Sequence, residues 1–364
     1  MNVCFLGSYQ EDYQRNAIIR KGLRVNGVRV LECNVPYGLG LRFWSRYKRL
    51  ISKHALMKEG YEYLIIPEMN HQNMPIAYLL SKIYKKPLIF DPFISRYDTD
   101  VMDRKRIKEG SFAALKSFIL DKVSLRMADL ILADTHQHLY YFKDAFKIPE
   151  DRIRVLYLGA DDDLFDRNKY DLLPESKERL KVSFYGSFVP LQGVEYIVGA
   201  ADILREEEIE FSIIGRGETY SEIEDMAKRL NLSNVRFIPP MPIDELPRRI
   251  AEADILLGIF GNTPKTQRVI PNKVFQSMAM GKPVITGDTP AVREVFTDKE
   301  NIFLCRCADE NSLSEAILEL KESPKLRQRI ADNGYSLIKA HFTPATIGRK
   351  LIDELKNWKE RTET

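Results

Sequence analysis

At 364 residues the chain has room for two domains of ordinary size. Hydrophobic residues make up 44% and charged residues 29%, a globular balance that excludes a disordered or fibrous chain. The net charge of +3 is unevenly spread: residues 1–165 hold 26 Lys and Arg against 20 Asp and Glu, and the remainder 29 against 32. The first half therefore suits an anionic partner, but it is too weakly basic for nucleic acid.

The opening MNVCFLGSYQ enters a strand directly, without the basic segment and long apolar run of a signal peptide. No apolar run approaches the roughly 18 residues of a spanning helix. Cys4, Cys33, Cys305 and Cys307 show no metal-ligand spacing and read as reduced thiols in strands. The expected location is cytoplasmic, with any membrane contact peripheral at the inner face.

After NVCFLG, residues 14–26 read as a helix and VRVLEC as a strand. YEYLIIP, PLIFD and LILAD follow as buried strands with helical patterns between them. The rhythm restarts with KVSFYG, FSIIG, VRFIP, DILLGIF, PVITGD and NIFLCR, separated by helices such as VEYIVGAADILREEE and SEIEDMAKRLN. Two α/β halves are predicted, each a doubly wound parallel sheet. Residues 160–180 are polar and aperiodic and mark the break. The predicted domains are 1–165, 166–340 and a final helix over 341–364 that packs back towards the first domain.

The segment 258–288, GIFGNTPKTQRVIPNKVFQSMAMGKPVITGD, carries a loop that runs from a strand into a helix beginning near Asn272 or Lys273. Free N–H groups at that helix start, with Lys265, Arg268 and Lys273 around it, suit a diphosphate. An ordinary loop with solvated cations would read the same way. Within it, PNKVFQSMAMGKPVIT resembles the donor-site signature of glycosyltransferase family four, the retaining GT-B enzymes. YGSFVPLQGVEYIVGAA resembles the strand, loop and helix that open that family's donor domain, and IIGRGE its next Gly-x-Gly turn.

The resemblance implies two Rossmann-like domains facing across a cleft. It also implies transfer of sugar from a UDP- or GDP-linked nucleotide-sugar to a glycan or lipid-linked acceptor, with retention and with no cofactor required. Donor contacts are implied for Gly7, Gly186, Ser187, Gln192, Gly193, Gly215, Arg216, Gly217, Lys265, Asn272, Val274 and Gln276. Lys273 and Arg268 are assigned to the leaving group. Asp91, in FDPFISRYDTDVMDR after a buried strand, is assigned to sugar hydroxyls, although a turn or helix-cap Asp would look the same. The chain departs from the family where Arg268 and Gln276 replace two glutamates, and where Ser187 and Gln192 replace basic residues. Those losses leave a non-catalytic partner subunit open as a rival reading. A sugar-nucleotide epimerase is another, because some share the fold.

Asp98-Thr99-Asp100 and Asp161-Asp162-Asp163 match a DxD pattern, and His136 and His138 flank a gap of one. Neither has the further ligands a metal site needs, so no metal is predicted. Residues 41–58 hold six basic residues and no acidic one. Arg42, Arg46, Arg49 and Lys53 share a helical face beside Trp44 and other aromatics, which suits an anionic membrane surface or a lipid-linked acceptor. A solvated helix with its aromatics in the core is the alternative.

Overall fold

The computed structural model describes residues 1–36, 43–57, 60–170 and 179–363. The chain divides into two compact units, Met1–Leu158 with Thr343–Thr364, and Gly159–Phe342. Each holds a six-stranded, wholly parallel sheet, so the doubly wound α/β class predicted from the sequence is the observed one.

In the first unit the strands are β1 (Asn2–Gly7), β2 (Arg29–Asn34), β3 (Tyr63–Ile66), β4 (Leu88–Phe90), β5 (Leu130–Ala133) and β6 (Ile153–Val155), in the spatial order β2-β1-β3-β4-β5-β6. The connecting helices are α1 (Gln14–Val25), α2 (Phe43–Ala55), α3 (Met74–Tyr84), α4 (Phe112–Met127) and α5 (His136–Phe146). Every residue of β3, β4 and β5 is buried, as helix layers on both faces require. Helix starts are set by side-chain caps: Ser111 accepts from the Ala114 N–H and Thr135 from the His138 N–H.

The second unit repeats the plan with β7 (Leu180–Tyr185), β8 (Ile209–Ile214), β9 (Val235–Ile238), β10 (Ile255–Leu257), β11 (Val284–Gly287) and β12 (Phe303–Cys305), ordered β12-β11-β10-β7-β8-β9. Its helices are α6 (Val194–Ile203), α7 (Tyr220–Arg229), α8 (Leu246–Ala251), α9 (Asn272–Ala279), α10 (Pro290–Arg293), α11 (Glu310–Glu322) and α12 (Pro324–His341). Phe184, Phe188, Phe211 and Ile197 fill its core.

The last helix, α13 (Pro344–Glu363), belongs to the first unit and lies along α1. The two helices touch backbone to backbone. A Cβ on Gly348 would sit 2.1 Å from the Gly22 carbonyl carbon, and one on Gly22 would sit 2.1 Å from the Pro344 carbonyl oxygen. Tyr63 of β3 donates its hydroxyl to the Leu355 carbonyl at 3.3 Å, tying α13 to the sheet. Among the described residues no helix is long and apolar enough to cross a membrane.

Candidate functional site

An open parallel sheet forms a crevice beyond its carboxyl ends where crossovers leave in opposite directions. In the second unit that point lies between β7 and β10, which are neighbours in the sheet. The loops that follow them, 186–193 and 258–271, are joined by backbone hydrogen bonds. The Phe260 N–H donates to the Gln192 carbonyl at 2.9 Å, and the Gly261 N–H to the Leu191 carbonyl at 3.2 Å. Gly193 has φ +64°, and a Cβ there would lie 2.5 Å from the Gly261 nitrogen. Gly215, at φ +135° after β8, would place a Cβ 1.9 Å from the Gly186 carbonyl oxygen. Only glycine meets both the dihedral and the spacing at these positions. Gly217 packs in the same way against the Phe188 backbone.

Helix α9 starts beside this junction. Its N-cap residue is Pro271, which supplies no side-chain cap, and the buried Asn272 Oδ1 has no hydrogen-bond partner. Lys273 is 6% exposed. Its Nζ donates to Gln192 Oε1 at 2.5 Å and to the Gly258 carbonyl at 3.5 Å, and stands 3.5 Å from the centroid of the Phe184 ring. A Cβ on Gly186 would lie 2.8 Å from that Nζ. Burial alone pushes the Lys273 ammonium well below its usual range. Lys273, Gly186 and Gln192 thus meet at one point. Sequence reasoning placed a cation here in three positions, and the fold brings this one onto the glycine loop.

Of the other predicted donor residues, Ser187, Gly215 and Arg216 line a pocket of about 250 Å³ together with Gly186. Its floor includes Tyr185, Ile214, Pro240, Met241 and Leu246, which sequence reasoning missed. Gln276 is buried and accepts from the Tyr185 hydroxyl at 3.3 Å; the same hydroxyl donates to the Lys273 carbonyl at 3.1 Å. Val274 is wholly buried in the core. Lys265 is buried and Arg268 half-buried in the turn that precedes α9.

In the first unit the corresponding reversal lies between β1 and β3. Gly7 ends β1, and a Cβ there would lie 2.6 Å from Asn70 Oδ1. The Ser8 N–H donates to that same oxygen at 2.7 Å. Asp91 is 1% exposed and both its oxygens accept from Arg15 Nε, at 2.8 and 2.6 Å. Asp98 is buried, while Asp100 lies 3.7 Å from Arg96 and from Arg106. Among the described residues no three metal-ligating side chains come together. His138 is buried with its Nδ1 against Asp134, and His136 lies exposed near Tyr140.

Arg42 lies outside the described residues. In α2, Trp44 is 72% exposed, Arg49 and Lys53 are exposed and Arg46 is half-buried. Tyr47 and Leu50 of the same helix pack into the core. The predicted basic face is therefore present over these residues, and part of the aromatic stripe beside it is interior.

Residues 167–337 match the family described as Glycosyl transferases group 1. The match spans 171 of the 364 residues, just under half of the chain. The chain is 28% identical over 176 residues to the uncharacterized glycosyltransferase MJ1178 of Methanocaldococcus jannaschii, a match covering 48% of each. It thus spans about half the length of that relative. It is 22% identical over 287 residues to the alpha-D-kanosaminyltransferase of Streptomyces kanamyceticus, covering 75% of this chain and 71% of that one. The Anabaena protein Alr3699/HepE, solved in complex with UDP and glucose, has a TM-score of 0.74 over 98% of this chain and 100% of its own, at 15% identity. That likeness is one of fold, the GT-B fold of two Rossmann-like domains.

The matched stretch carries the glycine loops and Lys273. A further group, on the first unit, was not foreseen. Glu68 follows β3, is 4% exposed, accepts from Asn16 Nδ2 and keeps a buried Oε2 with no partner. Burial, with the nearby Asp91 charge, raises its carboxyl from 4.5 to about 8. A folded value above the unfolded one gives stability that is full below about pH 4.5 and lost as pH rises through about 8. The expected slope is about 1.4 kcal/mol per pH unit in that window. Glu68→Gln should remove it, so urea unfolding at a series of pH values should show the variant gaining on the parent from about pH 5 to pH 8. Parallel curves would refute the assignment.

Proposed function

We propose that the protein transfers a sugar from a UDP- or GDP-linked donor to a glycan or lipid-linked acceptor, with retention of configuration. The observation that carries this reading is the junction of the 186–193 and 258–271 loops around the buried Lys273. It combines glycine backbone, an uncapped helix start and a cation, the three features that hold a diphosphate.

The diphosphate takes the place where Lys273 now meets Gln192, and the nucleoside lies in the pocket floored by Ile214, Pro240 and Met241. Charge that develops on the leaving phosphate is met by the Lys273 ammonium and the amides at the start of α9. Arg268 supplies a second cation once donor is bound, in place of the family glutamate. The acceptor is held at the carboxyl edge of the first unit's sheet, by groups such as the Ser8 hydroxyl and Glu68 Oε2, buried atoms that have no partner. It attacks from the face the phosphate leaves, and the departing phosphate takes its proton. No metal is needed in this scheme, and the reaction takes place on the cytoplasmic side.

Thermal unfolding with UDP, GDP, ADP and their sugar conjugates tests the donor. A ligand that binds only the folded chain at about 100 times its Kd adds about 2.7 kcal/mol. A rise with one uridine or guanosine diphosphate and its sugar is expected, followed by an α-linked product from an α-linked donor by NMR. A flat response to every nucleotide would overturn the reading, and release of an epimerised sugar nucleotide without acceptor would replace it.

A further inference from the structure

Helices α3 and α4 pack side by side in the first unit and leave a large apolar face outward. On α4, Phe112 is 83% exposed, Leu115 51%, Ile119 48% and Val123 42%. Their spacing of 3, 4 and 4 residues sets them on one stripe of the helix. On α3, Tyr78, Leu79 and Ile83 are exposed by 40%, 53% and 59%. Single exposed apolar residues are ordinary on a protein surface, but a stripe along one helix with three more exposed apolar residues on the helix packed beside it marks an interaction face.

Cations outnumber carboxylates around that face, where Glu109 precedes the α4 stripe and Asp129 and Asp151 stand at its far end. Lys116 and Arg126 are exposed beside the α4 stripe and Lys122 half-exposed, with Lys82 and Lys85 beside the α3 residues. Asp121 is the sole acidic residue within α3 and α4, and it is wholly buried, accepting from the Ser95 hydroxyl and the Tyr97 N–H. At the rim, Asp129 is paired with Lys82 at 3.4 Å. Tyr78, Lys82 and Arg126 also line a pocket of about 450 Å³ with Arg152, Arg154 and Arg361 and with Asp129 and Asp151; Arg152 donates to the Arg126 and Ala128 carbonyls and Arg154 pairs with Glu354, and the lining keeps a net positive charge. The apolar stripe therefore runs into a pocket rich in guanidinium groups.

We infer that the α3–α4 face docks on an anionic lipid bilayer, its apolar stripe entering the interface and the cationic pocket receiving lipid phosphates. Apolar area sets the depth of such binding, and each cation near an anionic surface adds about fivefold to the partition. Sugar-transfer activity is not needed for this inference, because the face shares no residue with the Lys273 site.

Flotation of the full chain with vesicles of phosphatidylglycerol or of phosphatidylcholine tests it. The protein should float with the first, at least about tenfold less with the second, and less with either as salt screens the charge. Leu115→Glu with Ile119→Glu should reduce flotation by about tenfold or more. Lys116→Glu with Lys122→Glu should abolish the preference for the anionic lipid. Both pairs are at the surface, and unchanged circular dichroism and urea-unfolding midpoints would confirm that they fold. Flotation that survives both pairs, or is lost on Trp44→Glu with Arg49→Glu in α2 alone, would overturn the inference. So would failure to float together with a dimer that Leu115→Glu and Ile119→Glu dissociate, which would assign the face to a second copy of the chain.

Discussion

Replacing Lys273 by Met is expected to reduce kcat/KM for sugar transfer by about a thousandfold while raising the melting temperature of the ligand-free protein. The two effects have one cause. The Lys273 ammonium is buried against the Phe184 ring and, among the described residues, holds only neutral acceptors, Gln192 Oε1 and the Gly258 carbonyl. Loss of hydration dominates its titration, and it acts against the charge. With a folded value below the usual 10.5, the unfolded chain binds more protons in the window between, so ligand-free stability rises with pH there. At neutral pH the native state therefore carries the cost of this group. Met keeps the aliphatic stem and removes that cost.

A diphosphate beside Nζ would reverse the balance, because an adjacent anion favours the charged form. Donor binding should then take up a proton, and affinity should fall as pH rises between the depressed value and 10.5. Calorimetry in buffers of different ionisation enthalpy reads the proton directly. A Lys273→Met variant that is less stable than the parent, or that keeps its nucleotide affinity, would show that this lysine is a packing element.

Eleven of the twelve strands can be recognised in the sequence because a parallel strand covered on both faces is a short apolar run. The exception is β6, three residues long with Arg154 at its centre. That guanidinium reaches Glu354 of α13 at 3.2 Å and carbonyls of its own loop, so a polar residue sits where the pattern requires an apolar one. Charge and spacing pointed to Lys265, Arg268 and Lys273 together without ranking them. Ranking needs the depth at which each lies, and that depends on Gly186 and Gln192, over 80 residues away in the chain. Glu68 had no signal at all: a single glutamate after a strand reads as solvated, and its burial against Asn16 of α1 appears only in the fold. Nor could the sequence show that Asp91 is met by Arg15, a helix arginine of the kind usually left in water.

That last pair sets the second large effect. Asp91→Ala should lower the free energy of unfolding by about 3–5 kcal/mol, because Arg15 is 1% exposed and would lose its hydrogen-bonded counter-ion, leaving only the weaker influence of Asp134 and Glu68. The loss should spread through the unit, since Arg15 Nη1 also donates to the Leu156 carbonyl at 3.0 Å and so joins α1, the end of β4 and the segment after β6. Replacing both members, Arg15→Met with Asp91→Leu, removes the unpaired charge. It should recover most of the stability, giving a double-mutant cycle with strong coupling. This separates two roles for Asp91. A carboxylate committed to Arg15 costs stability when removed and leaves the folded fraction active. A carboxylate that holds a sugar hydroxyl costs turnover in a protein that still unfolds at the parental urea concentration. The two short contacts to Arg15 Nε favour the first outcome, which urea unfolding and the specific activity of the folded Asp91→Ala protein would together decide.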